Sequence, residues 1–380
     1  MKYKSMKFLT KRRIEAVIFL LVLFGIFGFL GSYMGAPNML NTIMQTAYDL
    51  LIHTVFYIMG ITVLTGALSK LLIEFGVVRL LEYLLKPFMK PLFHLPGVAA
   101  LGGIMTFLSD NPAIIALAKD KNFSHYFKKY QLVSLTNFGT AFGMGFVVIV
   151  FMAGLGHIQA AIVGLVGAVI GGIVSTRLMQ YFTLKAYPNM KEDIVSEGSA
   201  ENISFKSEGS LFLRVLNSIL DGGKVGVDLG LQIIPGVLII STFVMMITFA
   251  PETGVYTGKA YEGVPILPYL ADKIHWVFEW LFGFQNTKLI AFPITSLGAV
   301  GAALGLVPKF KAAGLLDGNA VAVFTAIGMC WSGFLSTHTA MLDSLGYRNL
   351  TSKAIISHTI GGLFAGIVAH FLYLLFCLIF

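Results

Sequence analysis

Residues 96–119 read PGVAALGGIMTFLSDNPAIIALAK. The stretch is apolar enough to enter a bilayer, yet Ser109, Asp110, Asn111 and Pro112 occupy its centre. Proline at 112 removes a backbone donor and disfavours helix at Asn111. An aspartate at membrane depth costs roughly 3 kcal/mol even on the lenient insertion scale, so Asp110 is expected to face protein or water rather than lipid. A helix broken at a polar tip inside a bundle is how transporters build a binding site. The segment is therefore read as a re-entrant helical hairpin with its tip near the midplane. Two arms of about ten residues each reach roughly 15 Å, half the hydrocarbon thickness. A single straight crossing would put Lys119, Lys121, Lys128 and Lys129 outside, against the positive-inside tendency. A hairpin keeps both flanks cytoplasmic.

The composition agrees with a membrane setting. Of 380 residues, 56% are hydrophobic and 12% charged, about half the charged fraction of a soluble domain. The net charge of +8 is no nucleic-acid signal, because the basic residues flank apolar runs, where they set orientation. The lipid bilayer is the expected partner, and nucleic acid is not. The two cysteines, Cys330 and Cys377, lie in apolar runs, which disfavours a disulfide framework or a cysteine metal cluster.

Six basic residues between Lys2 and Arg13 precede an apolar run over 14–34. Its length exceeds the ~7–15 residues of a signal peptide core. It is read as an uncleaved first helix within an N-terminal unit, 1–42, with the N-terminus in the cytoplasm of a bacterial inner membrane. A first repeat then occupies 43–185: a tilted span over 43–75, an amphipathic interfacial helix over 77–93, the hairpin 96–119, and spans over 130–155 and 158–182. A polar stretch over 186–210 and an amphipathic helix over 211–221 form a connecting unit, 186–224. A second repeat, 225–380, follows the same plan: a span to 250, an external loop over 251–265, and an interfacial helix over 266–284 with Trp276 and Trp280 as anchors. The hairpin over 288–308, KLIAFPITSLGAVGAALGLVP, comes next, then spans over 321–345 and 354–380. The expected fold is an all-α polytopic membrane protein of inverted-topology repeats, each with an interfacial helix, a re-entrant hairpin and transmembrane helices. Paired, interrupted segments in the two halves point to a transport site.

The motifs GGIMTFLSDNPAIIALA (102–118), LTNFGTAFGMGF (135–146), CWSGFLSTHTAMLDSLG (330–346) and SHTIGGLFAG (357–366) resemble those of the Gate-domain, or "nucleoside recognition", membrane proteins. These look like relatives of the concentrative nucleoside transporters. The resemblance runs from Asp49 to the C-terminus and implies the transporter fold, a homo-oligomer and a first hairpin with a polar, acid-containing tip. The tip residues here differ from the nucleoside-binding pattern, and His338 and Asp343 stand where that family has its own acidic pattern.

The candidate substrate and ion ligands are Ser109, Asp110 and Asn111 at the first tip. Asn137 and Thr140 share one helical face; Thr295 and Ser296 would form the second tip if Pro293 breaks that helix. Ser336, Thr339 and Asp343 share a face by i, i+3, i+7 spacing, with His338 beside it. The competing readings are a loop for the first tip, an interhelical hydrogen bond for Asn137, self-capping hydroxyls for Thr295 and Ser296, and a wetted helix end for Asp343. His358, above Gly361 and Gly362, is read as tight packing. Protein metal clusters and cofactors are not expected; Na⁺ or H⁺ is the candidate coupling ion, since histidine titrates near neutral pH. No HExxH, GxSxG, GxGD or GxxxxGK[ST] pattern occurs, which argues against an enzyme and against a nucleotide-driven pump. The function expected is secondary transport of a small polar organic solute by alternating access. The alternative is a non-transporting gate or assembly subunit of a membrane complex.

Overall fold

A computed structural model describes residues 11–193 and 209–379, and among these there is helix but no strand. The order is α1 (Lys11–Met34), α2 (Ala36–Asp49), α3 (Phe56–Glu74), α4 (Val77–Phe88), α5 (Ala99–Leu108), α6 (Pro112–Lys119), α7 (Lys121–Ser124), α8 (Lys129–Thr140), α9 (Gly145–Gly154) and α10 (Ile158–Ala186). After residues 194–208 come α11 (Leu211–Pro235), α12 (Thr242–Met246), α13 (Ile266–Asp272), α14 (His275–Phe282), α15 (Ala291–Ser296), α16 (Val300–Ala312), α17 (Gly318–Cys330), α18 (Phe334–Ser344) and α19 (Thr351–Ile379). Wide π-helical turns at Leu50–Val55 and Gly236–Ser241 join α2 to α3 and α11 to α12. Six helical stretches are long and apolar enough to cross a membrane. The chain is an integral membrane protein.

Two helix pairs, each made of one helix from either half of the chain, pack side by side and run antiparallel. Along α3 and α11, Gly66 meets Gly222, Thr62 meets Gly226, and Met59 meets Gly230. A Cβ on Gly66 would stand 2.4 Å from the Gly222 carbonyl oxygen, and one on Gly226 would stand 2.3 Å from that of Thr62. The Thr62 hydroxyl donates to the Gly226 carbonyl at 2.7 Å. Along α10 and α19, Gly167 meets Ala369, Gly171 meets Gly361, and Ser175 meets Gly361. Small residues let these backbones touch where no hydrophobic force separates helix from lipid.

The first hairpin is α5 and α6, with Pro112 at the first turn of α6, where its missing N–H costs nothing. Ile114 seats the returning arm: a Cβ on Gly102 would be 2.7 Å from it and one on Gly139 would be 2.4 Å from it. Several boundaries depart from the sequence reading. The second span starts at Ala36, after Gly35 turns the chain at φ +77°. The amphipathic stretch from Leu211 does not end at 221 but continues as one helix to Pro235. Part of the connecting stretch, 194–208, lies outside the described residues. The second hairpin is α15 and α16, broken at 297–299, so Pro293 and Pro308 sit inside helices rather than at its tip and end. The segments expected as single spans over 130–155 and 321–345 are each broken, at 141–144 and at 331–333. Neither break carries a proline; glycine and the left-handed Met144, φ +53°, make the first one.

The stretch 251–265 is an anchored loop. Glu262 is buried and accepts hydrogen bonds from the backbone N–H of Thr257 at 2.6 Å, Gly258 at 2.9 Å and Lys259 at 3.2 Å, and from the Thr257 hydroxyl at 2.7 Å. Asn38 on α2 donates to the Tyr256 carbonyl at 3.0 Å, and the Tyr261 N–H donates to Thr46 at 2.9 Å. Burial alone would raise the Glu262 carboxyl; the hydrogen bonds from Thr257, Lys259 and Gly258 outweigh it and hold the group below its ordinary value.

A depressed folded pKa gives stability that is present above the ordinary carboxylate range, near about 4.3, and lost as pH falls through the folded value. Hydrogen exchange in 251–265, corrected for its intrinsic pH dependence, should therefore stay slow at neutral pH and accelerate below about pH 4. Glu262→Gln should exchange fast throughout. In the helix seam, Gly226→Val should lower stability by about 1–3 kcal/mol through forced separation of α3 and α11. Gly60→Ala, where nothing lies within 4 Å of an added Cβ, should be neutral or stabilising by up to about 1 kcal/mol. Thermal melts in detergent compare the two.

Candidate functional site

The first hairpin ends where the two broken helices cross. Asn111, 3% exposed, lies between them. Its Nδ2 donates to the Ser332 carbonyl at 3.2 Å and approaches the Ser332 hydroxyl at 3.4 Å. Gly143, from the break between α8 and α9, and Gly333, from the break between α17 and α18, flank the amide. A Cβ on Gly143 would stand 2.3 Å from Asn111 Oδ1, and one on Gly333 would stand 2.0 Å from Asn111 Nδ2. The slot fits this side chain only because both walls are glycine. The Ser332 hydroxyl reaches the Thr140 carbonyl at 3.4 Å, tying the two breaks together.

Beside this crossing is a cavity of about 320 Å³, near the lower end for ligand sites. Asp110, Asn111, Gln232, Ser332 and Thr337 supply its polar side chains. Gly298, Ala299, Val300 and Gly301, from the second hairpin tip and the start of α16, close another side. Both hairpin tips thus face one chamber. Asp110 is the single charged side chain among its lining residues, and among the described residues it forms no salt bridge. Its carboxylate accepts from Asn111 Nδ2 at 3.0 Å.

Behind the crossing runs a buried polar chain. Asn137 Nδ2 donates to the Ser175 hydroxyl at 2.9 Å and to the Ala354 carbonyl at 3.0 Å. Ser175 Oγ lies 2.8 Å from His358 Nδ1, and Thr140 Oγ1 lies 3.5 Å from the same nitrogen. His358 Nε2 bonds the Cys330 carbonyl, which the end of α17 leaves without a helical partner. Trp331 Nε1 donates to the His358 carbonyl at 2.9 Å. The network is internally consistent with a neutral imidazole that donates from Nε2 and accepts Ser175's proton at Nδ1. His358 therefore caps the broken helix in addition to packing tightly within the bundle.

The sequence candidates divide accordingly. Asp110 and Asn111 line the cavity. Ser109 turns away and donates to the Met105 carbonyl at 2.6 Å. Asn137 and Thr140 are buried one layer behind, in the polar chain. Thr295 is buried and donates to the Ala291 carbonyl at 2.7 Å; Ser296 is also buried, and both precede the second tip instead of forming it. His338 is fully buried, its ring 4.6 Å from that of His358. Thr339 is exposed, and Asp343, 59% exposed, lies 3.9 Å from Arg348. Neither is brought to the cavity, because the inward face of α18 carries Thr337, His338, Met341 and Leu342. The side chain of Ser336 lies outside the described residues. Ser332, Thr337, Gln232 and the start of α16 went unassigned from sequence, and His358 was assigned to packing alone. The one available signal for Ser332 was its place before Gly333 in a proline-free, glycine-bearing stretch.

Residues 55–156 match the Gate family, described as nucleoside recognition. An uncharacterized protein of Alkalihalophilus pseudofirmus is 25% identical over 224 residues, 54% of this chain and 46% of that protein. The sporulation integral membrane protein YlbJ of Bacillus subtilis is 41% identical over 73 residues, 18% of each chain. The chain thus spans less than half the length of either relative. The fold as a whole is similar to CNTnw, a concentrative nucleoside transporter, in an inward-facing substrate-bound state: TM-score 0.54, 13% identity, 94% of this chain and 85% of that one. A CNTnw variant in an intermediate state aligns with TM-score 0.51 and 12% identity, over the same shares of both chains. Residues 55–156 thus match the Gate model, and the chain's fold is similar to that of CNTnw.

Replacing His358 with Leu leaves the Cys330 carbonyl and Ser175 without their partner. Stability should fall by about 1–3 kcal/mol, read as a lower melting temperature of the purified protein. His358→Gln, which keeps a donor, should recover part of the loss.

Proposed function

We propose that this chain is a secondary transporter of a small polar organic solute, carried in the cavity between the two hairpin tips and driven by Na⁺ or H⁺. The observation that carries the reading is the convergence of four interrupted helical segments on one chamber at the crossing of α8–α9 with α17–α18. Interrupted helices leave backbone donors and acceptors unused, and within a bilayer these persist only against protein, ligand or water. A soluble-style packing core has no need of them.

The geometry suggests how the two sides would be opened in turn. Each hairpin enters from its own repeat, and the repeats run in opposite directions through the antiparallel α3–α11 and α10–α19 pairs. Moving one tip from the chamber would open one face, and moving the other would open the opposite face. Such alternation about a fixed, central site is the general behaviour of inverted-repeat carriers. The solute is nucleoside-like or of another small polar class; the differing tip residues leave the Gate description without weight on that point. We place the protein in a bacterial plasma membrane with the basic N-terminal end of α1 in the cytoplasm, following Lys11, Arg12 and Arg13. The exposed apolar face of α4, with Leu80, Tyr83, Leu84 and Phe88, suits contact with lipid or with further copies in a homo-oligomer. The chain is not read as an enzyme.

Uptake into proteoliposomes tests the reading. A gradient of Na⁺ or H⁺ should drive accumulation of a bound solute. Asp110→Ala should reduce uptake by about tenfold or more while the protein still inserts and melts cooperatively, as expected for loss of a charged ligand contact. Equal uptake by the variant would remove the cavity from the transport path.

A further inference from the structure

We infer that the cavity is built for a small zwitterion, an α-amino acid or a close analogue, whose ammonium group is taken by Asp110 and whose carboxylate is taken by the start of α16. The inference rests on the cavity being the transport site and adds the substrate class.

The two ends of the chamber differ in sign. On one side, Asp110 lines the cavity without a cationic partner among the described residues. It stands just before α6, whose N-terminal dipole favours a negative charge there. Next to it, Asn111 turns its Oδ1 into the glycine slot against Gly143 and donates from Nδ2 to the Asp110 carboxylate at 3.0 Å. A carboxylate is acceptor-only, and an ammonium offers three donors. A sheltered carboxylate held by an amide but by no cation stays costly until a cation arrives.

The other side supplies donors. Helix α16 is 13 residues long and starts at the tip of the second hairpin. Its N-cap residue is Ala299, in extended conformation, which has no side chain able to cap. The first N–H groups of an α-helix have no partner within it. Val300 and Gly301, which carry two of them, line the cavity. An uncapped helix start binds carboxylates through these N–H groups and its dipole. Among the described residues no lysine or arginine lines the chamber; Asp110 already answers the start of α6, whereas the start of α16 is a positive pole with no carboxylate beside it. A neutral nucleoside would leave both poles uncompensated, whereas a zwitterion satisfies both at once.

Calorimetry on the full chain in nanodiscs, with and without Na⁺, decides the matter. The probes are glycine, L-alanine and L-serine, with N-acetyl-L-alanine (no ammonium), L-alanine methyl ester (no carboxylate) and uridine. At least one free amino acid should bind, and masking either group of L-alanine should weaken binding by about tenfold or more. Asp110→Asn should weaken L-alanine and its methyl ester while sparing N-acetyl-L-alanine. Val300→Pro removes one N–H at a helix position that tolerates proline; it should weaken L-alanine and N-acetyl-L-alanine while sparing the methyl ester. Uridine binding without competition from any amino acid overturns the zwitterion and leaves the transporter reading intact. Na⁺ binding that Asp110→Asn abolishes, with no amino acid bound, likewise overturns it. Absence of any solute binding and uptake overturns both.

Discussion

The amide of Asn111, held between two glycines, sets the geometry of everything around it. Each glycine belongs to a different half of the chain and marks a place where a helix has been interrupted. Any side chain at 143 or 333 would occupy the space of the amide. The interruption and the hairpin are thus mutually dependent: the breaks create the slot, and the amide repays an unpaired carbonyl at Ser332. Within a bilayer that exchange is stringent, because there is no water to satisfy a freed backbone group. The same logic explains the layer behind, where His358 meets the Cys330 carbonyl at the end of α17.

The first hairpin was legible because two incompatible signals met at one point. An aspartate inside an apolar run must be sheltered, and the proline two residues on fixes where the helix restarts. The second hairpin offers no such coincidence. Its proline, Pro293, lies within α15, and the turn is made by Leu297, Gly298 and Ala299, which look like ordinary apolar sequence. Its contribution to the cavity is backbone N–H, which side-chain reading does not see. The breaks in the paired long helices were hidden for a related reason: glycine and a left-handed methionine interrupt a helix without altering its hydropathy.

Asp343 illustrates a different limit. Ser336, Thr339 and Asp343 do share a helical face, and the spacing was sound. Spacing identifies a face but not its orientation, and in α18 the buried side is the one carrying Thr337 and His338. His358 shows a limit of another kind. Its neighbours Gly361 and Gly362 suggested close packing, and packing is present, yet the ring also closes a hydrogen-bonded chain through Ser175 to Asn137. That chain joins four helices far apart in sequence, so no local pattern could announce it.

The seam between α3 and α11 has a thermodynamic consequence. Glycines at 66, 222 and 226 have no rotamers to freeze, whereas immobilising a long side chain costs up to about 2 kcal/mol. Backbone meets backbone there, and the dispersion gained is not offset by lost side-chain entropy. A joint of that kind is stiff, because there are no flexible groups in it to yield. It suits a strut, against which softer parts of the molecule can shift without dissipating the work done on them.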